Sequence, residues 1–169
     1  AVDQWFDVLI PRLCSLQSTR GGPIIAMQVE NEYGSYGNDA AYLDYLRRGM
    51  IARGVEVPLF TSDGPTDFML QGGTLPDVFK TANFGSRSAE AFAKLAEYEK
   101  RGPMMCMEFW IGWFDHWGEP HITRTAEDVA RETDAILASG ASVNFYMGHG
   151  GTNFGYMAGA NHGGHYQED

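Results

Sequence analysis

The sequence predicts an α/β fold built on a parallel sheet, and three observations carry that expectation. Short apolar runs alternate four times with stretches of helical periodicity. Those runs rarely alternate polar with apolar residues, as expected of strands buried on both faces. Polar residues collect where the runs end: Glu32, Asp63, Asn83, Glu108 and Tyr146. Strand starts near 24, 57, 78, 104 and 142 give intervals of 33, 21, 26 and 38 residues, which fit βα units. No glycine-rich phosphate fingerprint follows any strand, so a dinucleotide-binding sheet fits less well than a (β/α)₈ TIM barrel. In such a barrel the strand C-termini form the catalytic face. A complete one takes about 250 residues. About five strands in 169 residues therefore predict a partial barrel, with residues 1–169 forming one incomplete domain, the C-terminal portion of a larger barrel.

The elements follow in order. Trp5, Phe6, Val8, Leu9, Leu13 and Leu16 recur at helical spacing, predicting a helix over about 2–18 that packs by one face. Arg20-Gly21-Gly22-Pro23 stops it, and a strand runs from Ile24 to about Glu30. Asn38 or Asp39 starts the next helix, with Tyr42, Leu43, Leu46 and Met50 inward and Gly54 as its C-cap. Residues 57–62 and 77–84 are the second and third strands, and a helix from Ser88 to about Lys100 follows. Met104 to Phe109 is the fourth strand. Thr125-Ala126-Glu127-Asp128 opens a helix as a capping box, closed at Gly140. Residues 142–147 are the last strand, followed by a loop rich in Gly, Asn and His.

Composition narrows the function. The chain is 44% hydrophobic, enough for one core, and carries 12 Lys plus Arg against 22 Asp plus Glu, a net charge of −10. That balance argues against nucleic acid or an anionic membrane as partner, since both need a basic surface. No run approaches the roughly 18 apolar residues of a membrane span. The start lacks a signal-peptide pattern but reads as the middle of a helix, so it says little about the parent protein. Cys14 and Cys106 form no metal or redox spacing, and Cys106 reads as a small buried apolar residue.

Glu32 and Glu108 stand 76 residues apart, each at the end of a strand-like run, with Trp110, Trp113 and Trp117 beside the second. Paired carboxylates framed by aromatic rings suit glycosidic bond cleavage, which needs one proton donor, one ionised nucleophile and a stacking surface for the sugar. On strands three positions apart in an eight-strand ring of about 7 Å radius, their Cα atoms lie roughly 12 to 13 Å apart. Two inward side chains of about 4 Å reach bring the carboxyl groups to roughly 5 Å, the retaining rather than the wider inverting geometry. Glu30 is a rival to Glu32, two residues back and on the same face if the strand stays regular.

Three motifs then make the chain resemble the family 35 glycoside hydrolases, the retaining β-galactosidases. They are Gly-Gly-Pro-Ile-Ile-Ala-Met-Gln-Val-Glu-Asn-Glu-Tyr-Gly over 21–34, Met-Cys-Met-Glu-Phe-Trp-Ile-Gly-Trp-Phe-Asp-His-Trp-Gly over 105–118, and Asn-Phe-Tyr-Met over 144–147 continuing as His-Gly-Gly-Thr-Asn-Phe-Gly over 149–155. The resemblance implies that Glu32 is the general acid/base and Glu108 the nucleophile. It likewise implies that Asn31 bonds the sugar 2-hydroxyl, that Tyr146 belongs to the galactose subsite and that Trp113 lines it. It implies a β-galactoside or related oligosaccharide as substrate and no metal or organic cofactor. Where many relatives carry a bulky aromatic, Gly148 stands here. The first three strands of the family barrel, and a further subsite tyrosine beyond Asp169, are not in this sequence.

Two other functional classes stay open: a non-catalytic carbohydrate-binding relative, and a retaining glycosidase for another β-linked sugar. Trp117 is expected to pack rather than to hold sugar. Tyr33 and Tyr36 suit either packing or the acceptor side, and Asp63 and Asn83 end strands in the right direction. His116, His121, His149, His162 and His165 form no metal-ligand spacing, and no basic residue supports phosphate binding at Gly150-Gly151-Thr152. Open barrel edges predict self-association. Cysteine usage and motif detail lean toward a bacterial-type, cytoplasmic enzyme.

Overall fold

The computed structural model of the chain describes residues 1–148, 159–162, 164 and 166–168. Its helices are α1 (Val2–Cys14), α2 (Ala40–Ala52), α3 (Asp67–Gly73), α4 (Ser88–Tyr98) and α5 (Ala126–Ala138). Its main sheet holds β1 (Met27–Gln28), β2 (Leu59–Asp63), β3 (Phe79–Phe84), β4 (Met105–Trp110) and β5 (Ser142–Tyr146). All four pairings are parallel and the strand order is the chain order. The result is a curled half-barrel, the predicted partial (β/α) barrel.

Local chemistry explains most of the boundaries. The Asp39 carboxylate accepts the Ala41 and Tyr42 N–H groups and so opens α2, whose Leu43, Leu46 and Met50 are buried as predicted. The Thr125 hydroxyl accepts the Asp128 N–H to open α5, and Gly140 at φ 79° follows its end. The first helix ends four residues earlier than predicted, at Cys14. Beyond it the chain turns back on itself: Ser18 N–H donates to Ile24 O and Ile24 N–H to Leu16 O. Gln17, fully buried, replaces the missing helix bonds. Its Nε2 donates to Gly54 O at 2.8 Å while its Oε1 accepts the Glu56 and Val57 N–H groups at 2.7 and 3.1 Å. One amide thereby ties the end of α1 to the entrance of β2.

Helix α3 and the strand pair at the C-terminal end were not predicted. Helix α3 is only seven residues long and is opened by Thr66, whose hydroxyl accepts the Met69 N–H. Its glycines brought it close to the turn after β1, and the fit leaves no room for side chains. A methyl group on Gly34 would meet Met69 O at 1.8 Å, and one on Gly73 would meet Asp63 Oδ1 at 1.8 Å. The other surprise corrects the predicted C-terminal loop: β6 (Ala160–His162) and β7 (Tyr166–Glu168) pair antiparallel.

The core has a major body between the sheet and the last two long helices, built from Ala82, Phe84, Phe92, Leu95, Cys106, Phe109 and Ile136. A second body joins α1 and α2 to the start of the sheet through Ile10, Val29, Leu46, Met50 and Val57. Cys106 is wholly buried, as expected of a small apolar residue. No helix among the described residues is long and apolar enough to cross a membrane.

Candidate active site

The first strand is shorter than its apolar run because the backbone breaks out of extended geometry at two glutamates. Glu30 lies at φ 60° and Glu32 at φ 52°, in the left-handed region that non-glycine residues rarely enter. The ladder to β2 nevertheless persists, with Val29 N–H donating to Phe60 O and Glu32 N–H to Ser62 O. A regular strand would have aimed both carboxylates the same way. The two kinks send them to different partners. Glu30 accepts the Tyr42 hydroxyl at 2.9 Å and the Asn31 N–H at 2.6 Å. Glu32 Oε1 accepts the Asn83 Nδ2–H at 2.8 Å.

Glu108 reaches the same place by a different irregularity. Cys106 pairs with Ala82 and Glu108 with Asn83, so Met107 is an extra residue in β4. The bulge explains the burial pattern: Cys106 and Phe109, three apart, both pack into the helix-side core, which regular alternation forbids. The Asn144 Nδ2–H caps the bulged Met107 carbonyl at 3.0 Å. Glu108 is thereby turned beside Asn83, away from Cys106. At the strand's end, Arg124 donates to Trp110 O at 2.6 Å and to Asp128 at 2.6 Å, with its guanidinium over the Phe109 ring.

Glu32 and Glu108 line one cleft of about 640 Å³ together with Asn31, Tyr36, Trp110, Trp113 and Tyr146. All the predicted site residues therefore meet there. Trp113 stands edge-on to Trp110 and Phe114, at 5.2 and 5.4 Å between ring centroids, and leaves half its surface open. Asn31 is exposed and its Oδ1 accepts the Gln28 Nε2–H. Tyr33 packs, its ring 5.0 Å from that of Tyr42, whereas Tyr36 is exposed on the cleft wall. Trp117, expected to pack, is 69% exposed.

Charge placement makes the site acidic and partly desolvated. Burial pushes the Glu108 carboxyl above its ordinary value, opposed by the Trp110 indole N–H, which donates to Oε2 at 3.2 Å, and reinforced by the charge of Glu32. Asp63, buried beneath Glu32, is pushed up to about 6, chiefly by burial, while the Gly34 N–H bond at 2.9 Å acts the other way. Among the described residues no group of three or more His, Cys, Asp or Glu could hold a metal ion. His121 bonds Asp115 at 2.7 Å. His149, His165 and residues 150–152 lie outside the described residues.

Asp63 and Asn83 carried no motif that marked them in the sequence. Their one signal was position, since each ends a strand on the same side as the two glutamates.

A parallel barrel sheet that turns two carboxylates into one aromatic-walled cleft at its strand ends has the architecture of a glycoside hydrolase. Residues 1–169 match the model of glycosyl hydrolases family 35 over their whole length. The chain is 47% identical over 165 residues to the beta-galactosidase of Homo sapiens, covering 95% of this chain and 24% of that protein. It is 44% identical over 171 residues to beta-galactosidase-1-like protein 2 of Homo sapiens, covering 100% and 27%. To beta-galactosidase-1-like protein 3 of Mus musculus it is 42% identical over 166 residues, covering 98% and 25%. The chain belongs to glycosyl hydrolases family 35, and it spans about a quarter of the length of the curated relatives it matches.

Proposed function

We propose that the protein carrying this segment hydrolyses terminal β-linked galactose with retention of configuration, and that residues 1–169 are part of its single catalytic barrel. The observation that carries this is the meeting of Glu32 and Glu108 in one cleft with Trp110, Trp113 and Tyr146. Glu108 attacks the anomeric carbon and forms an ester to the sugar while Glu32 gives its proton to the departing glycosidic oxygen. Glu32, now a carboxylate, takes a proton from water, whose oxygen attacks the same carbon and releases Glu108. Two inversions leave the β-configuration. Asn31, Trp113 and Tyr146 hold the sugar. The Trp110 N–H favours the ionised form of Glu108 that the attack requires. Galactose as the sugar rests on the names of the relatives.

The test uses the full-length protein that bears this segment. Glu108→Gln and Glu32→Gln are compared with the unaltered protein on nitrophenyl β-galactoside and β-glucoside, with the first-formed anomer read by NMR. Glu108→Gln is expected to lower kcat by at least about a thousandfold, and galactose to appear first as the β-anomer. Unchanged turnover in either variant would sink the assignment. Preference for glucoside would move the substrate to another β-linked sugar, and sugar binding without turnover would make the protein a lectin-like relative. The 169-residue chain by itself is expected to show little turnover, because β1 and β5 at the two edges of its main sheet each have only one sheet neighbour among the described residues.

A further inference from the structure

Asn83 is fully buried at the C-terminal end of β3, opposite Glu108 in the sheet register and in contact with Glu32. Its amide sits at the end of a chain of side-chain hydrogen bonds. The Thr81 hydroxyl lies 2.9 Å from Ser62 Oγ, the Ser62 hydroxyl donates to Asn83 Oδ1 at 2.5 Å, and Asn83 Nδ2 donates to Glu32 Oε1 at 2.8 Å. All three relay residues are at least 98% buried. An ionised Glu32 can only accept, so it must face the NH₂ side of the amide; Oδ1 is then left to receive the Ser62 hydroxyl. The amide has one workable orientation, and it offers Glu32 one donor aimed at one oxygen.

We propose that Asn83, oriented by Ser62 and Thr81, is a positioning residue for Glu32. This rests on reading Glu32 as the acid/base. The consequence is a division of labour between the two carboxylate oxygens. Oε1 is held by Asn83 in both protonation states, because a carboxylic acid's carbonyl oxygen still accepts. The proton that passes to the leaving group, and later returns from water, is carried on Oε2. Glu32 needs this brace because its backbone lies at φ 52°, outside any regular element. Its main chain is tied to Ser62 O, and its side chain to Asn83, so two residues of neighbouring strands fix it at both ends. A buried polar chain of this kind holds its geometry only if every member is satisfied.

The test separates positioning of an acid from general structural damage by varying the leaving group. Dinitrophenolate departs without a proton, whereas an alkoxide needs one. In the full-length protein bearing this segment, Asn83→Ala is expected to lower kcat/KM by about 10- to 100-fold on an alkyl β-galactoside, the range for loss of an outer partner of a functional group. On dinitrophenyl β-galactoside the expected change is less than about threefold, since the step there draws little on proton transfer. Ser62→Ala, which leaves Asn83 in place with its amide free to turn, should reproduce the same selectivity with a smaller loss. Asn83→Ala that leaves both substrates unchanged overturns the proposal. So does an equal loss on both substrates, with Ser62→Ala without effect. Glu32→Gln measured in parallel must itself be selective for the alkyl substrate. If it is not, the assignment of Glu32 has failed and the role of Asn83 falls with it.

Discussion

Replacing Asp63 by asparagine should remove a pH dependence that the fold builds into its own stability. The Asp63 carboxyl is 1% exposed, is pressed against Gly73, and has the Gly34 N–H as its donor. Burial, with Glu32 and Glu30 nearby, pushes it from 3.8 to about 6 in the folded chain. The unfolded chain releases its proton near 3.8, so between pH 4 and 6 the folded state holds a proton that the unfolded state has lost. Stability from this group is therefore highest in acid, falls as pH rises through that window, and is level above it. The span from 3.8 to about 6, at 1.36 kcal/mol per pH unit, amounts to about 3 kcal/mol. Asparagine keeps an oxygen for Gly34 and cannot ionise. Its NH₂ has no ready acceptor, a constant cost of about 1–3 kcal/mol that does not vary with pH. Urea unfolding of both proteins at pH 4 and pH 7 measures the difference. The stability of Asp63→Asn relative to the parent should rise by about 2.5 kcal/mol between those two pH values, since at pH 4 the unfolded carboxyl is still partly protonated, with all other titrating groups cancelling. Parallel stability curves would refute the argument and would mean that water or movement of α3 relieves the buried charge.

Three further outcomes follow from particular contacts. Trp110→Phe removes the indole donor to Glu108, and loss of one such bond, about 1.5 kcal/mol, should move the acid limb of the kcat/KM profile up by about 1 pH unit; an unmoved limb would exclude Glu108 as the ionisation that sets it. Gln17→Leu strands the Gly54 carbonyl and the Glu56 and Val57 N–H groups, so the chain should lose about 3 kcal/mol or more in urea unfolding, at about 1–3 kcal/mol per orphaned group. A loss under about 0.5 kcal/mol would show that water replaces the amide. Finally, β5 carries the exposed Phe145 and Tyr146 on a sheet edge, and Ile25 beside β1 is 76% exposed. Sedimentation of the 169-residue chain should show self-association rising with concentration, and a monomer throughout would contradict it.

The architecture was legible because apolar runs and helical periodicity report burial directly. Strand, helix and capping residues fell within a few positions of their predicted bounds over most of the chain, as at Asp39 and Thr125. The misses share a cause. Helix α1 stops at Cys14 because Gln17 is drawn to Gly54, Glu56 and Val57, about forty positions away. Helix α3 escaped notice because it is short and ends in two glycines that make sense only against Gly34 and Asp63. The β6–β7 pair escaped because a Gly-, Asn- and His-rich stretch reads as loop until its two halves are seen side by side.

By itself the sequence determined which carboxylates end strands, how many strands separate them, and which aromatic residues accompany them. Those are properties of order along the chain, and parallel βα units preserve that order in space. Only the tertiary structure decided where each carboxylate points. Regular alternation would place Glu108 on the same face as the buried Cys106, and Glu30 on the same face as Glu32. The extra residue at Met107 breaks the first pairing, and left-handed backbone at Glu30 and Glu32 breaks the second. Both irregularities are held by groups remote in sequence: Asn144 on the Met107 carbonyl, Tyr42 on Glu30, and Asn83 on Glu32. A strand's side-chain direction has period two, so one inserted residue or one reversed φ redirects a functional group. The partners that sustain such a kink are chosen by packing, and local sequence carries no record of them.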